Sequence, residues 1–278
     1  MAHSTAKTRA ASRAAAASDT EGLPPGHHGF RQAARMEWIK LRSLRSTPWM
    51  LLATTVGTIA IGVVAMANTE APSPADAASF DPVNNVLAGV VLGQLVIGLM
   101  AVTAVTAEYS SGSIKSTLAA VPNRRMVLAA KAAVVGLVSL VVGEVVTFLS
   151  FFAGAMAMAR GVPRPSLGDP GVLRAVVLSG VYLAVVALIG VGLGAAIRHS
   201  ASAIGALVGL FFVLPGLLAG LTGTTVSKFL PTLIFSSSLG VSRDVSDVLT
   251  PWIGFAVLWV YVVAALGIGG WLMTRRDA

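Results

Sequence analysis

The residues most able to do chemistry in this chain are a few polar side chains set among long apolar runs. Glu144 lies within the run Ala132–Ala159, where a carboxyl can meet a cationic substrate, carry a proton or hydrogen-bond to a neighbouring helix. Gln94, Thr103 and Thr147 also lie in apolar runs and offer such bonds. Two interpretations of Glu144 therefore stay open: a polar site, with Gln94 nearby, and a purely structural hydrogen bond.

A second candidate region is the polar segment 108–125, which follows the second apolar run and reads EYSSGSIKSTLAAVPNRR. Its serines are typical of the start of a helix, and Pro122 ends that helix. Ile114, Leu118 and Val121 recur at i, i+4 and i+7, which gives a short helix one apolar face. Between two membrane spans this face has no lipid to cover it. It suits docking into a groove on a partner protein, and an ordinary polar connection is the alternative.

Known catalytic and metal-binding patterns do not occur in the sequence. It has no G-x-x-x-x-G-K-[ST] phosphate loop, no H-E-x-x-H pair, no G-x-S-x-G turn and no cysteine, and its four histidines are dispersed. We therefore expect a protein that is not an enzyme, with no metal site and no cofactor. The formal net charge of +8 does not predict a nucleic-acid partner, because in such an apolar chain the placement of basic residues matters more than their sum.

Six apolar runs must position these residues. The chain of 278 residues is 55% hydrophobic and 12% charged, and each run approaches the ~20 residues that cross a bilayer as a helix. Backbone groups in lipid must be satisfied within the segment, so such runs are helical. The sequence predicts an all-α membrane protein with six transmembrane helices, at Trp49–Ala67, Val83–Ala107, Ala132–Ala159, Val172–Ile197, Ala203–Leu221 and Trp252–Met273.

Lys and Arg are distributed unevenly between the connections. Fifteen of the 20 lie on one set of connections: before the first run, between runs two and three, between runs four and five, and after the sixth run. The other five lie between runs three and four or between runs five and six. The positive-inside rule then predicts a plasma-membrane protein with both termini in the cytoplasm. Residues 1–27 are predicted to be a disordered cytoplasmic tail, with no cleavable signal peptide, and residues 28–278 the six-span domain.

The segment Phe30–Ser46 is predicted to be an amphipathic helix before the first span. One stripe carries Arg31, Arg35 and Arg42, another carries Phe30, Ala34, Leu41 and Leu44, and Trp38 and Arg45 lie between them. We expect this elbow helix to lie in the inner membrane interface and to turn into the bilayer at Pro48. The alternative is that its basic residues only set the topology. The candidate residues of the elbow are Arg31, Arg35, Trp38, Lys40, Arg42 and Arg45.

The run AEYSSGSIKSTLAAVPNRRMVLAAKA resembles the intracellular signature of ABC-2 type transporter permeases. The matching residues are Glu108, Tyr109, Gly112, Ile114, Thr117, Leu118, Pro122, Arg124, Arg125 and Lys131. The segment EWIKLRSLRSTPW is similar to the family's elbow at Glu37, Lys40, Leu41, Arg42 and Ser43. Lys228-Phe229-Leu230-Pro231 is similar to a Lys-Tyr-Leu-Pro motif of the family, with Phe for Tyr. The resemblance covers about residues 30–278.

This resemblance implies a permease subunit that pairs with a second permease subunit and with cytoplasmic ABC ATPase subunits. The substrate would be hydrophobic or amphipathic and exported. The short helix would be the coupling helix that enters a cleft of the ATPase. Its candidate residues are Glu108, Tyr109, Gly112, Ile114, Thr117, Leu118, Val121 and Pro122. We expect Glu108 to pair with Arg42 or Arg45 of the elbow. A non-ABC membrane protein, such as a secondary carrier or an assembly factor, is the alternative.

Two further patterns carry weaker expectations. Glycines occur at small-x-x-x-small spacing, which lets helices approach closely in lipid: Gly89/Gly93, Gly190/Gly194, Gly205/Gly209 and Gly216/Gly220. The apolar content of the outer connection 222–251 predicts a segment that dips into the outer interface and lines an exit gate. A loop that simply packs on the spans fits the same residues.

Overall fold

The computed structural model describes residues 29–69, 81–158, 162, 164–238 and 249–276. Within these residues the regular structure is helical, and six helices are long and apolar enough to cross a membrane. They are numbered here as span 1 (Ser46–Ala67), span 2 (Pro82–Ser110), span 3 (Arg124–Ala157), span 4 (Val172–Ile197), span 5 (Ser200–Thr222) and span 6 (Pro251–Arg275). The prediction of an all-α protein with six spans is confirmed. The predicted tail, residues 1–27, lies outside the described residues.

Two shorter helices lie beside the spans. The N-terminal helix is Phe30–Ser43, and the short helix is Ile114–Ala120. The turn predicted at Pro48 is wrong: the chain turns at Leu44 and Arg45, and Pro48 lies in the first turn of span 1. Proline is tolerated there, because the first-turn N–H groups have no partner within the helix.

Span 3 begins at Arg124, earlier than the predicted Ala132. Asn123 caps this start, because its side-chain carbonyl accepts a hydrogen bond from the Met126 N–H at 3.2 Å. The helix therefore continues from the membrane into the connection that follows span 2. Its first two turns bring Lys131 close to the short helix.

Span 4 is the centre of the bundle. Of its most apolar window 78% is buried, against 17% for span 5 and 22% for spans 1 and 6. Spans 2, 3 and 6 pack around it, and glycines make the closest approaches. A Cβ on Gly143 would lie 2.5 Å from the Gly180 carbonyl oxygen, and one on Gly192 would lie 2.5 Å from the Ala265 backbone. Only glycine permits such contacts.

The predicted glycine pairs divide into two groups. A Cβ on Gly190 would meet the Gly98 carbonyl at 3.0 Å, and one on Gly194 would meet Val105 at 3.0 Å, so this pair packs span 4 on span 2. Gly89 and Gly93 likewise face Thr58 of span 1. The four glycines of span 5 are different, because a Cβ on any of them would meet nothing within 4 Å: Gly205, Gly209, Gly216 and Gly220.

The described part of the outer connection folds back over the bundle. It forms short helices at Thr224–Ser227 and Pro231–Leu233 and a wider turn at Ile234–Ser238. Its Phe235 ring stacks on Tyr182 of span 4, with centroids 4.6 Å apart. Of the two predictions for this connection, the described residues support a loop that packs on the spans. Residues 239–248 lie outside the described residues.

At the end of the bundle away from the outer connection, two arginines bond to the C-terminal end of span 6. Arg124 Nη1 donates to the carbonyls of Met273 and Arg276, both at 2.8 Å, and Arg198 Nη2 donates to the Arg276 carbonyl at 3.2 Å. Cationic groups are favourable at a helix C-terminus, where carbonyls lack partners within the helix. We call this end of the bundle, which also holds the N-terminal helix and the short helix, the basic side.

Candidate functional site

Four charged side chains meet on the basic side, behind the short helix. Glu37 and Lys40 come from one face of the N-terminal helix, Glu108 from the last turn of span 2, and Lys131 from the second turn of span 3. Residues three apart share a helix face, so Glu37 and Lys40 point the same way. We call these four residues the buried charge cluster, because Glu37, Glu108 and Lys131 are only 3%, 8% and 5% exposed.

Lys131 lies at the inner end of the cluster. Its ammonium donates to Glu37 Oε2, to Glu108 Oε1 at 2.7 Å and to the Ala104 carbonyl at 3.2 Å. An ammonium has three N–H donors, so this set satisfies all of them. Lys131 therefore ties the N-terminal helix and span 2 to span 3.

Lys40 closes the cluster on its outer side. Its ammonium donates to Glu37 Oε1 at 2.9 Å, to Glu108 Oε1 at 3.1 Å and to the Thr117 hydroxyl at 2.9 Å. Thr117 belongs to the short helix and is buried, and its hydroxyl lies 3.4 Å from Glu108 Oε2. The cluster thus reaches four segments of the chain, and a cavity of about 240 Å³ beside it separates the N-terminal helix from spans 2 and 3.

The electrostatics of the cluster are balanced. Two carboxylates face two ammonium groups, so the formal charge of the four side chains is zero. A buried ion is costly when alone and is tolerated when it is paired and hydrogen-bonded. Each member therefore depends on the other three, and the arrangement has one geometry in which all donors and acceptors are used.

The elbow partner predicted for Glu108 is wrong. Arg42 and Arg45 are exposed, and Lys40 is the residue of the N-terminal helix that reaches Glu108. At 100° per residue Arg42 lies about 140° away from Glu37, which faces the bundle, so its side chain points elsewhere. The sequence analysis also missed Glu37 as a site residue. The available signal was that Glu37 is the single acidic residue in the basic segment Phe30–Ser46.

The apolar stripe predicted for the N-terminal helix lies partly on its packing face and partly outside it. The packing face is Ala33, Glu37 and Leu41, whereas Phe30 and Leu44 are exposed. The ion pairs of Glu37 turn that residue inward, and hydropathy alone cannot show this. The remaining candidate residues of the elbow are exposed on the helix surface or in the turn after it: Arg31, Arg35, Trp38, Arg42 and Arg45.

The apolar face of the short helix packs against the chain itself. Ile114 and Val121 are each 4% exposed and belong to the hydrophobic core, and Leu118 is half-buried against that core. The prediction that this stripe lies free for a partner is therefore wrong, because the hydrophobic core of the chain itself covers it. The outward face is made of small and polar residues instead: Lys115, Ser116, Ala119 and Ala120.

The turn before the short helix explains two more of the candidate residues. Gly112 has φ +71°, a left-handed conformation that favours glycine. Tyr109 is half-buried, and the Arg198 guanidinium lies 5.1 Å from the centre of its ring. Through Arg198, span 2 therefore contacts the connection between spans 4 and 5. Pro122 is exposed directly after the short helix.

The two intramembrane candidates are not brought into contact. Gln94 is buried, and its side-chain carbonyl accepts a hydrogen bond from the Tyr182 hydroxyl. Glu144 is half-buried on span 3, where its carboxyl group covers Gly180 of span 4. Its carboxyl makes no hydrogen bond or ion pair with any described residue. The Thr147 hydroxyl donates to the Glu144 main-chain carbonyl, so the predicted structural bond to that carboxyl is wrong.

Comparison with known families supports the resemblance seen in the sequence. The family described as ABC-2 family transporter protein matches residues 33–216, which is more than half of the chain. The match includes the whole buried charge cluster and the short helix, and it ends within span 5, before Lys228–Pro231. A comparison with curated proteins gives no match.

The buried charge cluster makes a direct prediction about stability. Lys131→Met removes one ammonium and leaves two buried carboxylates to share Lys40, which we expect to lower the free energy of unfolding by about 3–5 kcal/mol. Lys115→Met is the matched control, because Lys115 is exposed and its loss should change stability by less than about 0.5 kcal/mol. Unfolding of both variants in mixed detergent micelles measures the difference. Equal stability of the two variants would contradict the role given to the cluster.

Proposed function

The chain belongs to the ABC-2 family of transporters, and we propose that it is the permease of an ABC exporter driven by a separate cytoplasmic ATPase subunit. Permeases of this family are membrane transport components and are not themselves catalytic. The family membership favours this function over the secondary carrier or assembly factor that the sequence left open. The missing phosphate loop is consistent with ATP hydrolysis in a partner.

The observation that carries the proposal is the outward face of the short helix. Lys115, Ser116, Ala119 and Ala120 are exposed between spans 2 and 3 on the basic side. Small side chains allow the surface of another protein to approach the helix backbone closely. We therefore propose that the ATPase docks on this face, and that Ile114 and Val121 support it from inside the bundle.

The buried charge cluster suits the transmission of movement from such a contact. Lys40 bonds to Thr117 of the short helix and to Glu108 of span 2, while Lys131 bonds to Glu108 and Glu37. A displacement of the short helix must therefore move the N-terminal helix and the adjoining ends of spans 2 and 3 with it. All the ammonium donors of the cluster have partners, so a movement of one helix strains hydrogen bonds to the others.

The distribution of Lys and Arg supports an orientation in which the basic side faces the cytoplasm, with the protein in the plasma membrane. The N-terminal helix exposes Phe30, Trp38 and Ile39 together with Arg31 and Arg35. Aromatic and basic residues on one exposed helix surface are typical of a helix that lies in the membrane interface. We propose that it rests on the inner leaflet of the plasma membrane.

The packing of span 5 supports pairing with a second permease subunit. Only 17% of its apolar window is buried, and its four glycines face open space. In lipid, small residues at this spacing allow a neighbouring helix to come close. The interior of the single subunit is filled by large side chains such as Tyr182, Phe151 and Phe211. We therefore place the transport pathway between two permease subunits.

The proposed docking surface can be tested with a bulky substitution. Ala119→Trp places a large side chain at the centre of the outward face, and truncations or clashes at the centre of an interface cost about 2 kcal/mol or more. We expect this variant to insert and fold normally but to lose most of its copurification with the ATPase subunit, whose activity then stays at its unstimulated level.

Ala67→Trp is the matched control for this experiment. Ala67 is exposed at the end of span 1 that lies opposite the basic side and away from span 5, so the same substitution should leave the complex intact. Leu118 is a poorer probe than Ala119, because it packs against the core and a change there would also disturb the fold. If Ala119→Trp retains a full complex and a stimulated ATPase, the short helix is not the docking site.

Glu144 supports a narrower proposal about the substrate. It lies about 20 Å along span 3 from Lys131, and its carboxyl has no partner among the described residues, so a cationic group of the substrate would satisfy it. Glu144→Gln keeps the size and hydrogen-bonding ability of the side chain but removes its charge. We expect it to abolish efflux of a fluorescent lipophilic cation from proteoliposomes that contain the whole complex, with assembly unchanged.

The control for Glu144 is Thr103→Val. The Thr103 hydroxyl donates to main-chain carbonyls of its own helix, so its removal should leave efflux within about twofold of the unaltered protein. Equal efflux by Glu144→Gln and the unaltered protein, or no efflux of the cation by either, would contradict a cation-binding role.

A further inference from the structure

Spans 3 and 6 are separated by an open apolar groove on the outside of the bundle. Two adjacent hollows of about 610 and 360 Å³ share Ala132 and Trp259, and together we call them the lateral groove. The larger lies between spans 3 and 6, and the smaller lies between spans 3 and 4, next to Trp259. The floor of the groove is made of small residues on spans 3 and 6, among them Ala129, Gly136 and Gly267. A Cβ on Gly267 would meet nothing within 4 Å, so none of the residues that the structure describes fills the space there.

The length and the chemistry of the groove suit a hydrocarbon chain. It extends from Arg125 to Leu140, about 22 Å at 1.5 Å per residue. One leaflet occupies about 15 Å of the hydrocarbon core, so an acyl chain can lie in the groove along most of its length. Apart from Arg125, the residues that line the groove are uncharged.

The end of the groove on the basic side is cationic. Arg124 is used to hold the end of span 6, but its neighbour Arg125 is exposed and makes no hydrogen bond or ion pair with the residues the structure describes. Trp271 lines the same end, and the Arg275 guanidinium lies 4.5 Å from the centre of the Trp271 ring. Two guanidinium groups therefore flank an apolar channel where a lipid headgroup would lie.

We propose that the lateral groove binds an anionic glycerophospholipid, with one acyl chain along span 3, beside spans 6 and 4, and the phosphate at Arg125, next to Arg275. Guanidinium groups bind phosphate strongly and with defined geometry. Basic pockets between spans next to a membrane surface are suited to acidic headgroups, whereas a zwitterionic lipid gains little from them. The site is separate from the ATPase docking surface and from Glu144, and it does not depend on the transport function.

The proposal can be tested by fluorescence quenching with brominated lipids. Trp259 and Trp271 line the groove, and replacement of Trp38, Trp49 and Trp252 by Phe leaves them as the only tryptophans of the chain. The protein is reconstituted in phosphatidylcholine with increasing fractions of brominated phosphatidylglycerol or brominated phosphatidylcholine. We expect phosphatidylglycerol to bind about fivefold more strongly. One basic residue near the surface contributes about that factor, and Arg125 supplies it, because the Arg275 guanidinium already lies over the Trp271 ring.

Two substitutions connect the preference to the groove. Arg125→Gln should remove most of the fivefold preference, and Gly267→Leu should reduce quenching by both lipids because it fills the channel. Arg45→Gln is the control: Arg45 is also exposed on the basic side but lies at the start of span 1, so the preference should remain. Native mass spectrometry of the unaltered chain and of Arg125→Gln gives an independent count of retained phosphatidylglycerol that does not require the tryptophan replacements.

Three results would overturn the proposal. Equal quenching by the two lipids would show that the groove holds bulk lipid without selection for charge. A preference that survives in Arg125→Gln as it does in Arg45→Gln would place the anionic lipid elsewhere. Quenching by neither lipid, with Trp259 and Trp271 shielded, would show that a second copy of the chain covers the groove instead.

Discussion

The pairing of Glu37 and Glu108 with Lys40 and Lys131 is the interaction on which the basic side of this protein depends. Charges of this kind are costly in a buried setting, and they are tolerated here because each ammonium has three acceptors and each carboxylate has at least two donors. Such a set has few alternative arrangements. It therefore fixes the N-terminal helix, the end of span 2 and the start of span 3 relative to one another.

The short helix takes its form from the same constraint. Thr117 bonds to Lys40, and Ile114 and Val121 fill the space next to the cluster, so the apolar side of the helix faces inward. The outward side is left with small and polar residues. This is the surface that we propose for ATPase docking, and the buried charge cluster behind it bonds to spans 2 and 3. In an ABC transporter, energy enters from outside the permease and must reach the spans through such a connection.

Much of the fold could be predicted from the sequence, because length and hydropathy determine which segments can cross a bilayer. The details that failed are those that hydropathy cannot resolve. Glu37 looks like a surface residue of a basic helix, and its inward position depends on Lys131, which is distant in sequence. The apolar stripe at Ile114 and Val121 was recognised correctly, but the surface that covers it was not, because hydropathy does not show that the stripe packs against the core of the same chain.

The central claim is that the N-terminal helix and the short helix move as one body. The chain has no cysteine, so spin labels can be attached at a pair of introduced cysteines, at the exposed positions Arg35 and Ser113. Ser113 lies directly before the short helix and outside the proposed docking face. Pulsed electron paramagnetic resonance should give one narrow distance distribution that is the same in the nucleotide-free and ATP-bound complexes and that broadens when Lys131→Met is added. A distance that changes with nucleotide, or one that stays equally narrow in Lys131→Met, would contradict the claim.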